Sequence, residues 1–236
     1  MKLRKINPQT YELFENNQSF GTISTYRNLF HDSCIYLKFN LTKIPTTSPF
    51  AEIRQHEQKS LQVMIESSQT EIINWISING FKCKRRCFEA KVSTADLKHP
   101  IKSKLKILSF VATGPIYSNC CDFLYKYYKT THELVSPLTA SKNEFITEVP
   151  TRTGYYSLDE HGQLSHVAFT ENNEIAYLCS VDPTSCSGFI DSLLVKSFEK
   201  YQTIFFEADN TDWAASKLLG KFNYKKDESF NTYIYE

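Results

Sequence analysis

Glycine is the residue that this chain most clearly lacks. The 236 residues include seven glycines, less than half of the ~7% that is usual in globular proteins. The glycine-rich patterns GxGxxG, GxxxxGKS and GxxxxGKT, which bind dinucleotides and nucleoside triphosphates, are all missing. The patterns GxSxG and HExxH are missing as well. The sequence therefore offers no motif for a dinucleotide-binding enzyme, a P-loop NTPase, an α/β-hydrolase or a zinc protease.

Long apolar runs and an excess of one charge are also missing. No apolar run approaches the ~20 residues of a membrane helix, and the N-terminal MKLRKINPQTYELF lacks the apolar segment of a signal peptide. With 27 Lys+Arg against 26 Asp+Glu, the chain has no strong field to attract nucleic acid or anionic lipid. We expect a soluble, cytoplasmic protein without nucleic-acid or membrane partners, and the sequence leaves its oligomeric state open.

The cysteines indicate neither a disulfide framework nor a metal site. They are odd in number and stand at positions 34, 83, 87, 120, 121, 179 and 186. An odd count in a chain without a secretion signal argues against disulfides. Cys83 and Cys87 lack a second Cys/His pair at zinc-finger spacing. We therefore expect free thiols and no bound metal.

An internal repeat organises the residues that are present. The first copy comprises Leu61–Gln69, Thr70–Asn79, Gly80-Phe81 and Lys82–Phe88. The second comprises Gln202–Asn210, Thr211–Phe222, Asn223-Tyr224 and Lys225–Tyr235. Each copy has the pattern of a strand, a polar break, a helix, a tight reversal and another strand. The repeat predicts two related domains, residues 1–97 and 101–236, on either side of a polar linker within 93–103.

The repeat also makes predictions about single residues. Asn210 is expected to cap the helix that follows it, and Gly80 and Asn223 are expected to adopt the left-handed conformation at the two reversals. The apolar positions of the repeat predict a set of core residues: Val63, Ile65, Phe81, Ile204, Phe206 and Leu218.

The remaining pattern predicts sheets flanked by helices. Residues 1–41 are expected to form four strands, with a hairpin turn at Glu15–Gln18. The second half is expected to form a strand at 105–112, a helix at 116–132 and a three-stranded meander over 154–181. The predicted fold class is α/β (α+β), with two domains that each contain a mixed, mostly antiparallel sheet.

Residues 101–236 combine the predicted order of elements with the segment Leu178–Leu194, which includes Val181 and Pro183, and with an ending that runs from Asn210 to Tyr224. In these features they resemble the GNAT N-acetyltransferase superfamily. The first half resembles a shortened copy, so the whole chain is similar to a tandem-GNAT protein. What this implies is transfer of an acetyl group from acetyl-CoA to a primary amine, on a small molecule or a peptide that the sequence does not identify.

The resemblance also implies a set of cofactor-binding residues. A helix N-terminus offers unpaired N–H groups and a partial positive charge, which suit a pyrophosphate. By position, the cofactor-binding residues would be Cys179, Ser180 and Val181 at the thioester, Cys186, Ser187, Gly188, Phe189 and Ile190 at the pyrophosphate, and Asn210 at the pantetheine arm. The acceptor would be read by loops such as 134–152.

The same resemblance suggests candidates for proton transfer. Glu174 and Glu207 are the carboxylates that would accept a proton from the amine. Tyr224 is a candidate acid, with Tyr177 as another. The tyrosine that many family members place on the last helix corresponds to Leu219 here.

A different function remains open from the same residues. Where the family signature has one arginine and three glycines, this chain has Cys186, Ser187, Phe189 and Asp191. The Asp191 carboxylate would repel phosphates and the Phe189 ring would crowd them. The alternative is therefore a catalytically degenerate protein that acts as a binding or structural module. The first half, which has no recognisable cofactor loop, is expected to be structural.

Overall fold

A computed structural model of the chain describes residues 2–15 and 18–236. The described residues form two compact units. Unit 1 comprises Met1–Arg86, Leu134–Thr139 and Glu228–Glu236, and unit 2 comprises Cys87–Glu133 and Ala140–Asp227. The tip of the expected turn at Glu15–Gln18, residues 16 and 17, lies outside the described residues.

Twelve strands and six helices are assigned in the described residues. The first half contains β1 (Lys2–Asn7), β2 (Thr10–Glu15), β3 (Gln18–Tyr26), β4 (Cys34–Leu41), α1 (Phe50–Glu57), β5 (Ser60–Glu66), α2 (Thr70–Ile78) and β6 (Lys82–Ser93). The second half contains β7 (Leu108–Val111), α3 (Tyr117–Thr131), α4 (Lys142–Glu148), β8 (Thr153–Leu158), β9 (Leu164–Glu171), β10 (Glu174–Ser180), α5 (Cys186–Phe198), β11 (Thr203–Asp209), α6 (Trp213–Leu219) and β12 (Phe230–Tyr235).

The two units contain the same arrangement of strands. The order in unit 1 is β1-β2-β3-β4-β5-β12, and the order in unit 2 is β7-β8-β9-β10-β11-β6. All neighbours are antiparallel except β4 with β5 and β10 with β11, which are parallel. The expected mixed, mostly antiparallel sheets are confirmed.

The pairing of β5 and β11 confirms the internal repeat. Each of these strands has a parallel neighbour on one side and an antiparallel neighbour on the other. The closing strands are exchanged between the copies: β6, from the first copy, pairs with β11 in unit 2, and β12, from the second, pairs with β5 in unit 1. Each unit therefore takes its last strand from the other copy of the repeat.

The core forms where the repeat predicts it. All six predicted core residues are buried, and Ile204 and Phe206 are fully buried. Ile204 and Phe206 face a cluster formed with α5 and α6 in unit 2, and Val63 and Ile65 contribute to the equivalent cluster in unit 1. Apolar residues at alternate positions of a strand place one face of each sheet in a core.

Three local details differ from the sequence-based expectation. The N-cap of α6 is Asp212, not Asn210, because the Asp212 carboxylate accepts the N–H groups of Ala214 and Ala215. Gly80 has the expected positive φ of 99°, but Asn223 does not adopt a positive φ. Helix α4 lies within the stretch expected to be loop, where a capping box at Ser141 and Glu144 begins it.

Gly154 in β8 is the position at which a side chain is least tolerable in unit 2. A Cβ there would lie 2.0 Å from the carbonyl oxygen of Ala168 and 2.5 Å from the Phe110 ring. We expect Gly154→Ala to lower the free energy of unfolding by about 3 kcal/mol, measured by urea denaturation. The matched control is Gly188→Ala, whose Cβ would meet only Lys104 Cβ at 3.7 Å; alanine in a helix should leave stability unchanged or raise it by up to about 1 kcal/mol. Equal effects of the two changes would contradict this account.

Candidate cofactor groove and active site

The parallel strands β10 and β11 separate after a short paired segment. They pair only at Glu174 with Phe205 and at Ile175 with Phe206. The pairing of β10 with β9 shifts register between Ile175 and Tyr177, and a bulge of this kind bends a strand away from its neighbour. The space between the two strands beyond these pairs is called the strand gap below.

Backbone N–H groups of β10 face the strand gap at alternate residues. The Val181 N–H donates to the carbonyl oxygen of Ser165 on β9, at 3.1 Å. Because hydrogen-bonded and non-hydrogen-bonded pairs alternate in an antiparallel ladder, the Cys179 N–H also points to β9. The N–H groups of Leu178 and Ser180 then point to the strand gap, where β11 does not pair with them. Of the three residues expected at the thioester, Ser180 has this orientation, and Leu178 is one that the sequence reasoning missed.

The first turn of α5 presents two further donors. The Cys186 N–H donates to the Asp182 carbonyl, and the Phe189 N–H to the Ser185 carbonyl. The N–H groups of Ser187 and Gly188, between them, have no backbone acceptor among the described residues. Unpaired donors at a helix N-terminus form an anion-binding position.

Two ammonium groups near this helix start neutralise the Asp191 carboxylate. Asp191 is almost fully buried and forms ion pairs with Lys221 and with Lys104, the latter at 3.0 Å. The Lys221 ammonium also donates to the Ser187 hydroxyl at 2.8 Å. Asp191 therefore does not present a free negative charge at the helix start. Phe189 lies fully buried in the core, so its ring does not crowd that position.

The other residues expected at the cofactor have different surroundings. Cys186 and Ile190 are fully buried in the same core as Phe189, so they support α5 rather than contact a ligand through their side chains. Val181 is exposed at the end of β10, and Asn210 is exposed in the turn between β11 and α6.

Glu207 lies on β11 level with the opening of the strand gap. Its neighbour Phe206 faces the α5 and α6 core, so the Glu207 side chain points to the opposite face of the sheet, where α3 packs. Partial burial, followed by the carboxylates of Glu89 and Asp209, raises the pKa of Glu207 above its usual value. Glu89 is its direct cross-strand partner on β6. A raised pKa makes a carboxylate at the site a stronger proton acceptor.

The other candidates for proton transfer are placed less favourably. Tyr224 donates its O–H to the Glu89 carbonyl oxygen at 2.7 Å. Glu174 lies at the closed end of the gap, in the pair with Phe205. Tyr177 borders the gap, and burial, with a contribution from the Glu207 charge, raises its pKa to about 12. Leu219, the counterpart of the family tyrosine, is buried in the core.

Tyr127 of α3 extends beside the strand gap to the start of α6. Its O–H donates to the Asp212 carboxylate at 2.6 Å, and its ring packs against the core formed with α5 and α6. Cys179 is almost completely buried nearby; burial and the charge of Asp212 raise the pKa of this thiol. The Tyr127 side chain, tethered to Asp212, thus lies beside the place where the two strands have separated.

The equivalent space in unit 1 is packed by aromatic rings. Strands β4 and β5 pair only from Cys34–Tyr36 to Ser60–Gln62. Phe39, beyond this paired segment, contacts Phe50 of α1 and Trp75 of α2, with ring centroids 4.8 to 6.2 Å apart within the trio. These helices correspond to α5 and α6. The aromatic cluster fills the core between β4, α1 and α2 in unit 1.

His166 and Asp182 meet at Ser185, just before α5. The Ser185 hydroxyl donates to the Asp182 carboxylate and lies 3.1 Å from His166 Nε2. Since the hydroxyl hydrogen is directed to Asp182, Nε2 is the protonated nitrogen and donates to Ser185. His166 is fully buried, and this burial lowers its pKa to about 4. The Ser185 hydroxyl donates its hydrogen to Asp182 and not to His166. The histidine therefore does not activate this serine as a nucleophile.

The buried His166 predicts a loss of stability in acid. Its folded pKa lies below the unfolded value of 6.5, so the unfolded chain binds the proton more readily as the pH falls from 6.5 to 4. We expect roughly 3 kcal/mol of unfolding free energy to be lost over this range, measured by urea denaturation at each pH. His166→Gln should remove most of this slope. The exposed His161, changed to Gln, should leave it intact; a slope unaffected by His166→Gln would contradict the assignment.

Three further findings concern the described residues. No group of three or more His, Cys, Asp or Glu side chains within residues 2–15 and 18–236 is arranged to hold a metal ion. In that same part of the chain, no helix combines the length and the apolar character needed to cross a membrane. All seven cysteines are free thiols.

No protein-family model and no curated protein matches the sequence. Solved structures do match the fold. One is a GCN5-related N-acetyltransferase from Sphaerobacter thermophilus, with a TM-score of 0.57 and 7% identity, over 98% of this chain and 81% of that one. Another is a probable N-acyltransferase from Enterococcus faecalis V583, with a TM-score of 0.53 and 8% identity. That match covers 96% of this chain but only 61% of the other protein.

A third similar structure is a protein of unknown function from Staphylococcus epidermidis, with a TM-score of 0.53 and 12% identity. The match covers 97% of this chain and 94% of that one. At these identities the likeness shows the fold alone. The chain has the GNAT fold, as its resemblance in sequence implied.

Proposed function

We propose that unit 2 is an acyltransferase that moves an acetyl group from acetyl-CoA to a primary amine. The observation that supports this most is that unit 2 contains two separate sets of backbone N–H donors. The strand gap has the inward N–H groups of Leu178 and Ser180, and the start of α5 has the unpaired N–H groups of Ser187 and Gly188. One set suits a carbonyl and the other suits a pyrophosphate.

The residues present fit this cofactor in chemistry. When bound, acetyl-CoA supplies an acyl group activated as a thioester. The N–H groups of Leu178 and Ser180 would polarise its carbonyl, and the helix start with the Lys104 and Lys221 ammonium groups would hold its phosphates. At Gly188 a Cβ would have only one atom within 4 Å, on Lys104, so the backbone there is open to a ligand.

Glu207 is the general base in this proposal. The carboxylates of Glu89, Glu207 and Asp209 lie together on the α3 face, and they favour an amine that arrives as an ammonium ion. Glu207 takes the proton from that ammonium, directly or through a water, and so generates the nucleophilic amine. The acceptor is a small molecule or a peptide amine; the proposal includes a cytoplasmic location and a structural role for unit 1.

The test is release of free CoA thiol from acetyl-CoA in the presence of amines. A panel of small primary amines and a lysine-containing peptide would be offered to the full chain, with each amine omitted in turn as the blank. We expect at least one acceptor to raise thiol release above the blank. Thiol release that no amine accelerates, from protein shown to bind acetyl-CoA, would contradict the transferase proposal.

A second function is favoured by one observation. The Tyr127 side chain lies at the strand gap, and the last helix supplies a core leucine, Leu219, in place of an acid. A protein in this state could bind a partner or a cofactor without turning it over. Saturable binding of acetyl-CoA without any amine-dependent thiol release would favour this binding module.

A further inference from the structure

We propose that Tyr127 and Asp212 form a gate that must open before the acyl arm of a CoA cofactor enters the strand gap. This inference rests on the proposed function of unit 2. The phenol of Tyr127 crosses from α3 to the start of α6, beside the stretch of β10 that carries the inward N–H groups of Leu178 and Ser180. A ligand that reaches those N–H groups needs the space that this side chain takes.

The gate is held by a hydrogen bond between partly buried groups. Asp212 accepts the Tyr127 O–H at 2.6 Å, together with the N–H groups of Ala214 and Ala215. A hydrogen bond to a buried carboxylate is stronger than one between neutral groups. Opening the gate breaks the phenol bond but leaves both N–H bonds, so α6 keeps its cap while Tyr127 moves.

Tyr127 lies at the edge of its core and is held less firmly than the aromatic rings of unit 1. In unit 1, Phe39, Phe50 and Trp75 contact one another from three different elements. In unit 2 the half-buried Tyr127, beside the strand gap, is tethered by one polar bond to Asp212. Displacing one tethered side chain costs far less than dismantling a packed cluster.

The test measures CoA affinity by calorimetry in three variants of the full chain. In Tyr127→Phe the ring remains but the bond to Asp212 is lost, and in Tyr127→Ala the gap is emptied. Both should bind CoA about tenfold more tightly than the wild type, because the closed state loses its tether. Tyr125→Ala is the matched control: it removes a ring from α3 that packs on Phe145 of α4 and should leave CoA affinity unchanged.

A second readout reports the gate directly. The chain has two tryptophans, and Trp213 adjoins Asp212 at the start of α6. In a Trp75→Phe background that keeps Tyr127, CoA binding should change the fluorescence emission of Trp213. When Tyr127→Phe is added, this change should be smaller. Melting curves of each variant identify any that fails to fold, and Tyr127→Phe keeps the test valid if Tyr127→Ala does fail.

The outcomes separate the gate from the proposed function. Equal CoA affinity in the wild type and in Tyr127→Phe and Tyr127→Ala would overturn the gate while leaving cofactor binding intact. If the wild type, Tyr127→Phe and Tyr127→Ala all fail to bind CoA, both the gate and the proposed function are overturned. Binding by the variants alone would support the gate and would mean that the wild-type protein needs another event to open it.

Discussion

Glu207→Gln is expected to lower kcat/KM for amine acetylation by about a hundredfold to ten-thousandfold, the usual contribution of a general base. The amide cannot take the proton that the acceptor ammonium must lose before the amine can attack the thioester. Because Glu207 must be ionised to act, the activity of the wild type should rise with pH through its raised pKa. The pH profile of kcat/KM measures both effects.

Glu89→Gln is the control that shows whether the environment of Glu207 sets this profile. Glu89 faces Glu207 across β6 and β11, and its charge helps to raise the pKa of Glu207. Removing that charge should move the acidic limb of the profile to lower pH while most activity remains. Nearly full activity of Glu207→Gln would show that another group is the base. An acidic limb of the kcat/KM profile that stays at the same pH in Glu89→Gln would show the same.

Ser180→Pro is expected to lower kcat/KM by about a hundredfold to a thousandfold, comparable to the loss of an oxyanion-hole donor. Proline has no N–H, and the Ser180 N–H points to the strand gap rather than to β9. The substitution therefore removes a donor to the substrate without removing a bond of the ladder. Thiol release with the best acceptor amine measures the effect.

Ser180→Ala separates the N–H from the hydroxyl at the same position. The hydroxyl donates to the Asp182 carbonyl oxygen at 3.1 Å, so its loss tests the local turn and not the donor. We expect this variant to retain most of the activity. Equal losses in Ser180→Pro and Ser180→Ala, with equal falls in melting temperature, would refute the role of the N–H.

The repeated order of elements could be predicted from the sequence because it depends on local patterns. Alternating apolar residues around Val63 and Ile204 predict strands wherever they occur, and both are buried in central strands. The exchange of β6 and β12 between the units could not be predicted, because it depends on which distant strand completes each sheet. Local periodicity does not specify that choice.

The site was only partly accessible to sequence reasoning for similar reasons. The bond from Tyr127 to Asp212 joins residues 85 positions apart, and no local pattern connects them. The inward orientation of Leu178 follows from the register of β10 on β9, which a one-residue slip would reverse. Asn210 and Asp212 are both residue types that suit a helix N-cap, and only the backbone geometry shows that Asp212 is the cap of α6.

Calorimetric titration of acetyl-CoA into the 236-residue chain tests the central claim most directly. The account predicts saturable heat with one site per chain, because unit 2 has donors for both the thioester carbonyl and the pyrophosphate of the cofactor. It also predicts that Gly188→Trp, which fills the helix start, abolishes that heat without unfolding the protein. No detectable heat from the wild type at high protein concentration would contradict the account, as would undiminished binding by Gly188→Trp.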